Sequence, residues 1–310
     1  MAETMATRQA YGKTLIELGE KYPQLVVMDA DLSKSTMTAE FGKTYPDRFF
    51  NMGIAEQNLY GAAAGLALSG KIVCASTFAM FATGRAFEII RNSIGYTRAN
   101  VKICATHAGI TVGEDGASHQ TFEDIALMRT IPGMTVINPS DGVSAKKLLE
   151  QAVAMEGPCY VRLGRAKVPV FYEDSDQLTL GKGNLVRDGK DVTIVATGIM
   201  VSEAMAAAEK LKEDGIDARI IDIHTIKPID EDILIKAAQE TGAIVTAEEH
   251  SIIGGLGSAV AEVIVKNCPV KMAMVGQKDT YGESGKPDEL KKKYGMTAED
   301  IEAAVKNLIG

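Results

Sequence analysis

The stretch MTVINPSDGVSAKKLLEQAVAMEGPCYVRLG, residues 134–164, indicates the fold most clearly. Its two ends, Met134–Ser140 and Cys159–Gly164, are apolar and β-branched, which predicts strands. The segment between them, Val143–Met155, has the apolar spacing of a helix. Nearly continuous apolar strands that alternate with helices are typical of a parallel sheet covered on both faces. The stretch therefore predicts an α/β protein.

The same alternation continues along most of the chain. Further strands are expected at Leu25–Asp31, Lys71–Thr77 and Val101–His107, and further helices at Thr7–Gly19, Ala55–Ser69, Arg85–Ile94, Phe122–Arg129, Ser202–Glu213, Asp230–Glu240 and Leu256–Asn267. From Val168 the sequence is polar and contains glycines, which predicts a linker with a short hairpin. We predict two domains, each a mainly parallel sheet flanked by helices: residues 1–170 and 189–310, joined by a linker at 171–188.

The composition argues against several classes of protein. Lys and Arg number 33 against 41 Asp and Glu, and this net charge of −8 disfavours nucleic-acid binding. No apolar run approaches the length of a membrane helix, and the N-terminus lacks the pattern of a signal peptide. The cysteines are scattered without metal-ligand spacing: Cys74, Cys104, Cys159 and Cys268. We therefore expect free thiols, no metal site in this chain, and a cytoplasmic location.

The segment Gly53–Gln57 (GIAEQ) contains the first candidate site residue. It places Glu56 where a strand-like run gives way to a helix that is rich in small residues. Small side chains let a cofactor ring or a partner helix approach closely. An acid in the first turn of a helix is also favoured by the helix dipole, so a structural role for Glu56 stays open.

The loop Thr106–His119 contains a denser group of candidates. Glycines alternate there with His107, Asp115 and His119, and the loop holds half of the chain's four histidines. It follows the carboxyl end of a predicted strand, which is where α/β sheets bind ligands. A functional loop is favoured over a plain turn, and a metal site is a weaker alternative because no further ligand stands at suitable spacing.

Two phenylalanines end the next candidate segment. Phe78 and Phe81 follow the carboxyl end of another predicted strand and are two of only eight phenylalanines. They could be ordinary core residues, because their spacing alone does not distinguish the two roles. If they flank a cleft, they offer a platform for a flat aromatic ring.

Together these motifs resemble segments of the transketolase family, in the family's order. The segments are MATRQAYG (5–12), DADLSKS (29–35), GIAEQ (53–57), STFAMF (76–81), ATHAGITVGEDGASHQ (105–120), NPSDG (138–142), TIKPID (225–230) and GKPDEL (285–290). The resemblance covers the family's pyrimidine-binding and C-terminal domains. Nothing in the chain matches the diphosphate-binding domain with its metal-ligating GDG…N motif. The chain is thus similar to the C-terminal subunit of a split transketolase.

This resemblance implies a thiamine-diphosphate-dependent transferase of the pentose phosphate pathway. Such enzymes move a two-carbon ketol unit from a ketose phosphate to an aldose phosphate, with the cofactor supplying the carbanion chemistry. It also implies a partner, an N-terminal diphosphate-binding subunit that holds Mg²⁺ or Ca²⁺. The two chains would form an α2β2 assembly with the cofactor between them, and sugar phosphates would be the substrates.

The resemblance further implies roles for the residues that contact the cofactor. Glu56 matches the glutamate that hydrogen-bonds the aminopyrimidine ring, and Phe78 and Phe81 match the aromatics packed on that ring. Asp31 lies in the segment that approaches the thiamine. The spacing after Phe81 departs from the family pattern, so no role is assigned to Arg85.

The implied substrate channel uses a second group of residues. Arg8, Ser35, His107 and Arg165 match positions that grip the sugar phosphate, because guanidinium groups bind phosphate with paired hydrogen bonds. His119 matches a position that faces the donor hydroxyls near the reacting carbons, and the resemblance implies a catalytic role for it and for His107. Asp115 matches the carboxylate that reads hydroxyl stereochemistry.

Other functions remain compatible with the same layout. The β subunit of a 2-oxo acid dehydrogenase and a deoxyxylulose-phosphate-synthase-like enzyme share it. A regulatory or binding subunit without catalytic activity is the alternative from a different class. The two loop histidines, with Arg8 and Ser35, favour a sugar-phosphate channel over the lipoyl-domain acceptor of a 2-oxo acid dehydrogenase. Glu56 and both histidines argue against a subunit without activity.

Overall fold

Two large sheets and one two-stranded sheet organise the protein, whose computed structural model describes residues 3–310. One large sheet has seven strands and the other has five, and helices pack against both. Among the described residues, no helix combines the length and the apolar character that crossing a bilayer requires. The cysteines Cys74, Cys104, Cys159 and Cys268 are free thiols.

The first domain begins with a short strand and contains most of the larger sheet. Its strands are β1 (Thr4–Met5), β2 (Leu25–Asp29), β3 (Phe49–Asn51), β4 (Ile72–Phe78), β5 (Val101–Thr106), β6 (Thr135–Ile137), β7 (Cys159–Arg162) and β8 (Val168–Pro169). Its helices are α1 (Thr7–Lys21), α2 (Ser33–Thr36), α3 (Ala39–Thr44), α4 (Glu56–Leu68), α5 (Phe87–Ile89), α6 (Asp124–Thr130) and α7 (Gly142–Ala154).

The second domain repeats the alternation of strands and helices. Its strands are β9 (Asn184–Arg187), β10 (Val192–Ala196), β11 (Ala218–Asp222), β12 (Thr225–Lys227), β13 (Ala243–Ser251) and β14 (Lys271–Gln277). Its helices are α8 (Met200–Glu213), α9 (Glu231–Thr241), α10 (Leu256–Asn267), α11 (Pro287–Lys293) and α12 (Ala298–Ile309).

Both large sheets are mainly parallel, which confirms the predicted fold class. The larger sheet has the strand order β12-β6-β7-β5-β4-β2-β3, with only β12 antiparallel. The smaller has the order β14-β13-β10-β11-β9, with only β9 antiparallel. Because parallel strands point the same way, their carboxyl ends meet at one edge of each sheet.

The stretch at residues 134–164 folds as predicted, into β6, α7 and β7. Asp141 begins the helix: its carboxylate accepts a hydrogen bond from the backbone N–H of Ser144 at 2.8 Å. This interaction satisfies one of the amide groups that a helix start leaves unpaired. One face of the helix is buried against the sheet through Leu148, Leu149 and Ala152.

The segment between the domains differs from the expectation. The predicted hairpin does not form: β8 pairs with β1, and β9 pairs antiparallel with β11 at the edge of the smaller sheet. Gly189 serves a close approach rather than a hairpin turn, since a Cβ there would lie 2.5 Å from the backbone of Ala218. The boundaries of the linker at 171–188 stay a prediction, and the strand β9 lies inside that range.

Two further elements depart from the sequence prediction. The helix expected at Arg85–Ile94 is instead a succession of a π-helical turn at Phe81–Arg85, the short α5, and a second π-helical turn at Ile90–Gly95. Strand β12 leaves the second domain and pairs with β6 of the first. The first sheet is therefore completed by a strand from the other domain.

A buried polar cluster also joins the two domains. Asp222, at the end of β11, accepts hydrogen bonds from the hydroxyl groups of Ser140 and Tyr172. Its other carboxylate oxygen is buried and has no hydrogen-bond partner among the described residues. Burial raises the pKa of Asp222 to about 7, although the two hydroxyl donors favour its charged form.

This pKa predicts how stability depends on pH. Because the pKa of Asp222 is higher in the folded than in the unfolded protein, its contribution to stability is complete below about pH 4 and is lost as pH rises through about 7. We expect Asp222→Asn, which cannot ionise, to gain stability relative to the wild type between pH 5 and pH 8. Urea unfolding midpoints of both proteins across this range test it, with Asp217→Asn as a control. A constant difference between variant and wild type would contradict the prediction.

Candidate active site

The candidate site lies where the carboxyl ends of β2, β4, β5 and β7 meet. Asp31 follows β2, Phe78 ends β4, His107 follows β5 and Arg165 follows β7. These strands are neighbours in the larger sheet, in the order β7-β5-β4-β2. Residues far apart in the chain therefore converge because the strands that carry them run parallel.

Aromatic and imidazole rings form the centre of the site. The ring of His107 stacks on Phe78 with centroids 3.9 Å apart, and His119 meets the ring of Phe81 edge-on at 5.3 Å. Phe78 and Phe81 are themselves nearly parallel, with centroids 6.2 Å apart. The structure thus brings together the two histidines of the loop and the two phenylalanines of the strand end.

His107 has an unusual backbone conformation. Its φ of 58° lies in the left-handed region, which residues other than glycine seldom adopt. Its Nδ1 lies 2.9 Å from the hydroxyl oxygen of Thr106, so the ring orientation is held by a hydrogen bond. Strained backbone of this kind concentrates at sites where a side chain must point in one direction.

Two arginines contribute positive charge to the site. Burial, followed by the charge of Arg165, lowers the pKa of Arg8. Burial, followed by the charges of Arg8, Arg165 and His119, lowers the pKa of His107 to about 3. His107 is therefore a neutral imidazole at physiological pH, and the charges of both arginines act on it. An anionic group bound between them would relieve their mutual repulsion.

Each guanidinium is oriented by a protein oxygen. Arg8 Nη1 donates to the backbone carbonyl of Ser35 at 2.5 Å, while the buried Arg8 Nε finds no acceptor among the described residues. Arg165 Nη1 donates to the carbonyl of Val112 and to the carboxylate of Glu114, the latter at 2.9 Å. Ser35 thus contacts Arg8 through its backbone, and Glu114 is a member of the site to which the sequence assigned no role.

Glu56 lies at the other end of the ring cluster. It is the first residue of α4 and is only 2% exposed. Its Oε2 lies 2.8 Å from Nη1 of Arg85, and the Arg85 guanidinium stacks over Phe81 at 4.6 Å from the ring centroid. The π-helical turn at Phe81–Arg85 holds an additional residue per turn, and Arg85 is the residue at its end. In the sequence, the departure from the family spacing after Phe81 was the signal that drew attention to Arg85.

Asp31 is joined to the Glu56 segment through a residue that the sequence did not suggest. Asn51 Nδ2 donates to Asp31 Oδ1 at 2.9 Å, and Asn51 Oδ1 accepts from the backbone N–H groups of Asp31 and Gly53. Asp31 itself has a φ of 64°, so this network maintains a strained turn. Asp115 is exposed, and within residues 3–310 no hydrogen bond or ion pair joins it to the other predicted site residues.

The arrangement offers two different binding environments side by side. A buried carboxylate beside parallel aromatic faces suits a flat ring that donates a hydrogen bond, and the paired guanidinium groups suit an anion. Among the described residues, no group of three or more His, Cys, Asp and Glu side chains is arranged to hold a metal ion.

Comparisons with known proteins identify relatives of this chain. The family model of the transketolase pyrimidine-binding domain matches residues 3–170, and that of the transketolase C-terminal domain matches residues 181–301. The chain is 57% identical to a protein of Methanocaldococcus jannaschii named as a transketolase C-terminal section, over 95% of this chain and 93% of that one. It is 44% identical to a 6-deoxy-6-sulfo-D-fructose transketolase subunit of a Clostridium species, over 95% of this chain and 91% of that one.

A solved structure gives the same result at the level of the fold. It is described as an inactive β4 tetramer of a split-gene transketolase, and it superposes on this chain with a TM-score of 0.91. The two are 54% identical, and the superposition covers 98% of each chain. With both family models matched along most of its length, this chain belongs to the transketolase family.

Proposed function

We propose that this chain is the C-terminal subunit of a split, thiamine-diphosphate-dependent transketolase. In this role it would transfer a two-carbon ketol unit from a ketose phosphate to an aldose phosphate. The observation that carries the proposal is that buried Glu56, the Phe78–Phe81 pair, Arg8 and Arg165 lie at one edge of the larger sheet. A ring site next to an anion site is what a cofactor with a phosphorylated substrate requires.

The residues present fit the aminopyrimidine ring of thiamine diphosphate. The guanidinium of Arg85 is flat, stacks on Phe81 and donates a hydrogen bond to Glu56. The site therefore accommodates a planar group that makes both contacts at once. Family membership implies dependence on thiamine diphosphate, and Glu56, Phe78, Phe81 and Asp31 are the residues we propose to hold its ring.

Bound thiamine diphosphate would supply the carbanion chemistry that breaks and forms the carbon–carbon bond. In the proposed mechanism, Glu56 holds a proton at its carboxylate against the ring, and Phe78 and Phe81 orient the ring and exclude water. His119 exchanges a proton with a donor hydroxyl near the reacting carbons. His107, neutral at physiological pH, can donate or accept a hydrogen bond at a sugar oxygen.

The proposed phosphate-binding residues are Arg8, Ser35, His107 and Arg165. The two guanidinium groups supply charge-assisted hydrogen bonds, which are shorter and stronger than neutral ones. Glu114 competes for Arg165 at 2.9 Å, but its carboxylate is 60% exposed and can turn to solvent when a phosphate arrives. We propose that Asp115 reads the stereochemistry of the sugar hydroxyls.

We also propose that activity requires a partner, an N-terminal diphosphate-binding subunit that holds the Mg²⁺ or Ca²⁺ ion. Support comes from relatives named as a subunit or a section, and from the inactive β4 state of the solved split-gene relative. We propose an α2β2 assembly, a cytoplasmic location and pentose phosphates as substrates. One relative is named for 6-deoxy-6-sulfo-D-fructose, so other sugars belong in the assay.

Reconstitution tests the function directly. We expect the purified chain alone to bind thiamine diphosphate weakly and to lack ketol transfer, because the anchor for the diphosphate lies on the other subunit. Mixing it with the diphosphate-binding subunit of the same organism should create cofactor binding, measured by calorimetry, and activity with xylulose 5-phosphate and ribose 5-phosphate. Full activity of the isolated chain would refute the split site. Pyruvate decarboxylation without ketol transfer would favour a 2-oxo acid dehydrogenase, and no activity with any such partner would favour a regulatory subunit.

The role of Glu56 can be tested by a change of one group. We expect Glu56→Gln to lower turnover of the assembled enzyme by about 10²- to 10⁴-fold, because an amide cannot hold the proton at this position. The exposed Glu40→Gln variant should leave turnover unchanged. Steady-state kinetics measure both, and turnover of Glu56→Gln close to that of the wild type would contradict the assignment.

The phosphate-binding role of Arg165 predicts a selective effect. We expect Arg165→Ala to raise KM for a phosphorylated ketose donor by about 10- to 100-fold, because a charge-assisted hydrogen bond is lost. The unphosphorylated donor should be affected far less. Lys167→Ala removes a neighbouring exposed cation and serves as the matched control. Equal increases in KM for both donors would rule out the proposed contact.

A further inference from the structure

The loop that carries His107, Asp115 and His119 has a backbone that needs external support. Apart from a 3₁₀ turn at Ile110–Asp115 it is irregular. Four of its residues have positive φ: His107, Gly109, Gly113 and Gly116. Such conformations persist only where surrounding contacts enforce them. Several of these contacts come from the second domain.

Glu249, in β13 of the second domain, contacts the loop backbone directly. Its Oε1 accepts a hydrogen bond from the backbone N–H of Thr111 at 2.7 Å. The same carboxylate fills the space beside Gly109, where a Cβ would lie 2.6 Å from Glu249 Oε2. The carboxylate of Glu249 therefore occupies space that is free because Gly109 has no side chain.

Glu249 is itself held in place by a buried cation. Arg162 Nη2 donates to the backbone carbonyl of Glu249 at 2.8 Å, and Arg162 Nη1 lies 3.9 Å from Glu249 Oε2. Arg162 also binds Asp124 at 2.7 Å. Burial raises the pKa of Glu249, while the charge of Arg162 and the Thr111 hydrogen bond oppose that rise. Because all of these groups are buried, the carboxylate has little freedom to move.

A second contact holds the far end of the same loop. Gln120 Nε2 donates to the carbonyl of Glu283 at 3.0 Å, in the segment that precedes α11. Gly113 lies against Pro287, the first residue of α11, where a Cβ would come within 3.2 Å of the proline ring. The second domain therefore contacts the loop at its start, middle and end.

We propose that Glu249 is a positioning residue of the active site. Its carboxylate holds the backbone at Thr111. This contact keeps the loop in the conformation that places His107 and His119 beside the substrate. This inference rests on the proposed ketol transfer and gives the second domain a role in it. Glu249 acts through the loop rather than on the reacting atoms.

Two variants of Glu249 separate positioning from simple stabilisation. Glu249→Gln keeps an oxygen that can accept from Thr111 N–H but loses the charge facing Arg162, whereas Glu249→Ala loses both. We expect both to lower the thermal midpoint of the assembled two-chain enzyme. We expect kcat/KM for ketol transfer to fall about tenfold or more in Glu249→Ala, because small displacements of catalytic groups are costly, and to stay within about threefold in Glu249→Gln.

The cofactor and an unrelated ion pair provide the controls. The affinity for thiamine diphosphate should stay within about twofold in both variants, because Glu56 and Phe81 lie on other elements. Glu262→Ala removes an ion pair with Arg129 that also spans the two domains, at 2.8 Å, and should leave kcat/KM unchanged.

Hydrogen exchange of the isolated chain gives a readout that does not depend on activity. Peptides that cover residues 108–118 should exchange faster in Glu249→Ala than in Glu249→Gln, while those from β4 and β5 stay protected. The proposal would be overturned if exchange in Glu249→Ala were unchanged. It would also be overturned if kcat/KM fell in both variants in the same proportion to the fall in the thermal midpoint. A wild-type complex without ketol transfer would instead refute the proposed function, and the exchange result would still decide whether Glu249 holds the loop.

Discussion

The buried guanidinium of Arg162 connects the two domains close to the candidate site. Its side chain is 3% exposed and lies between Asp124 of the first domain and Glu249 of the second. Removing such charges from water costs several kcal/mol per ion, so the cluster is stable only when each charge keeps its partner. The ion pairs therefore link the two domains. They also fasten the loop that bears the histidines, because Glu249 binds its backbone.

The site contains positively charged groups, although the chain as a whole is negatively charged. The net charge is −8, yet the site contains Arg8 and Arg165, and the charge of Arg165 acts on Arg8. Local fields depend on which groups the fold brings within a few ångströms, and net charge reports only their sum. Burial, together with the same positive charges, lowers the pKa of His107 and keeps the ring neutral, so the site combines fixed positive charge with an uncharged hydrogen-bonding ring.

The regular elements and several site residues were predictable from local patterns. The strand–helix–strand stretch at residues 134–164 was predictable from the spacing of its apolar residues, because that spacing is visible within a short stretch of sequence. The sequence predicted that His107 and Phe78 share one edge of the sheet. Both lie at the carboxyl ends of strands, and the carboxyl ends of parallel strands lie at the same edge. Motif resemblance added Arg8 and Arg165, whose proximity no local pattern shows.

Amino-acid order alone established the α/β class, the family resemblance and the residue types of the site, because these depend on short-range periodicity and contiguous motifs. It did not reveal that β12 completes the other domain's sheet, that Arg85 meets Glu56 or that Glu249 supports the histidine loop. Each of these contacts joins residues that are distant along the chain. Whether such residues meet depends on how helices and sheets pack, and packing is a property of all the buried surfaces together.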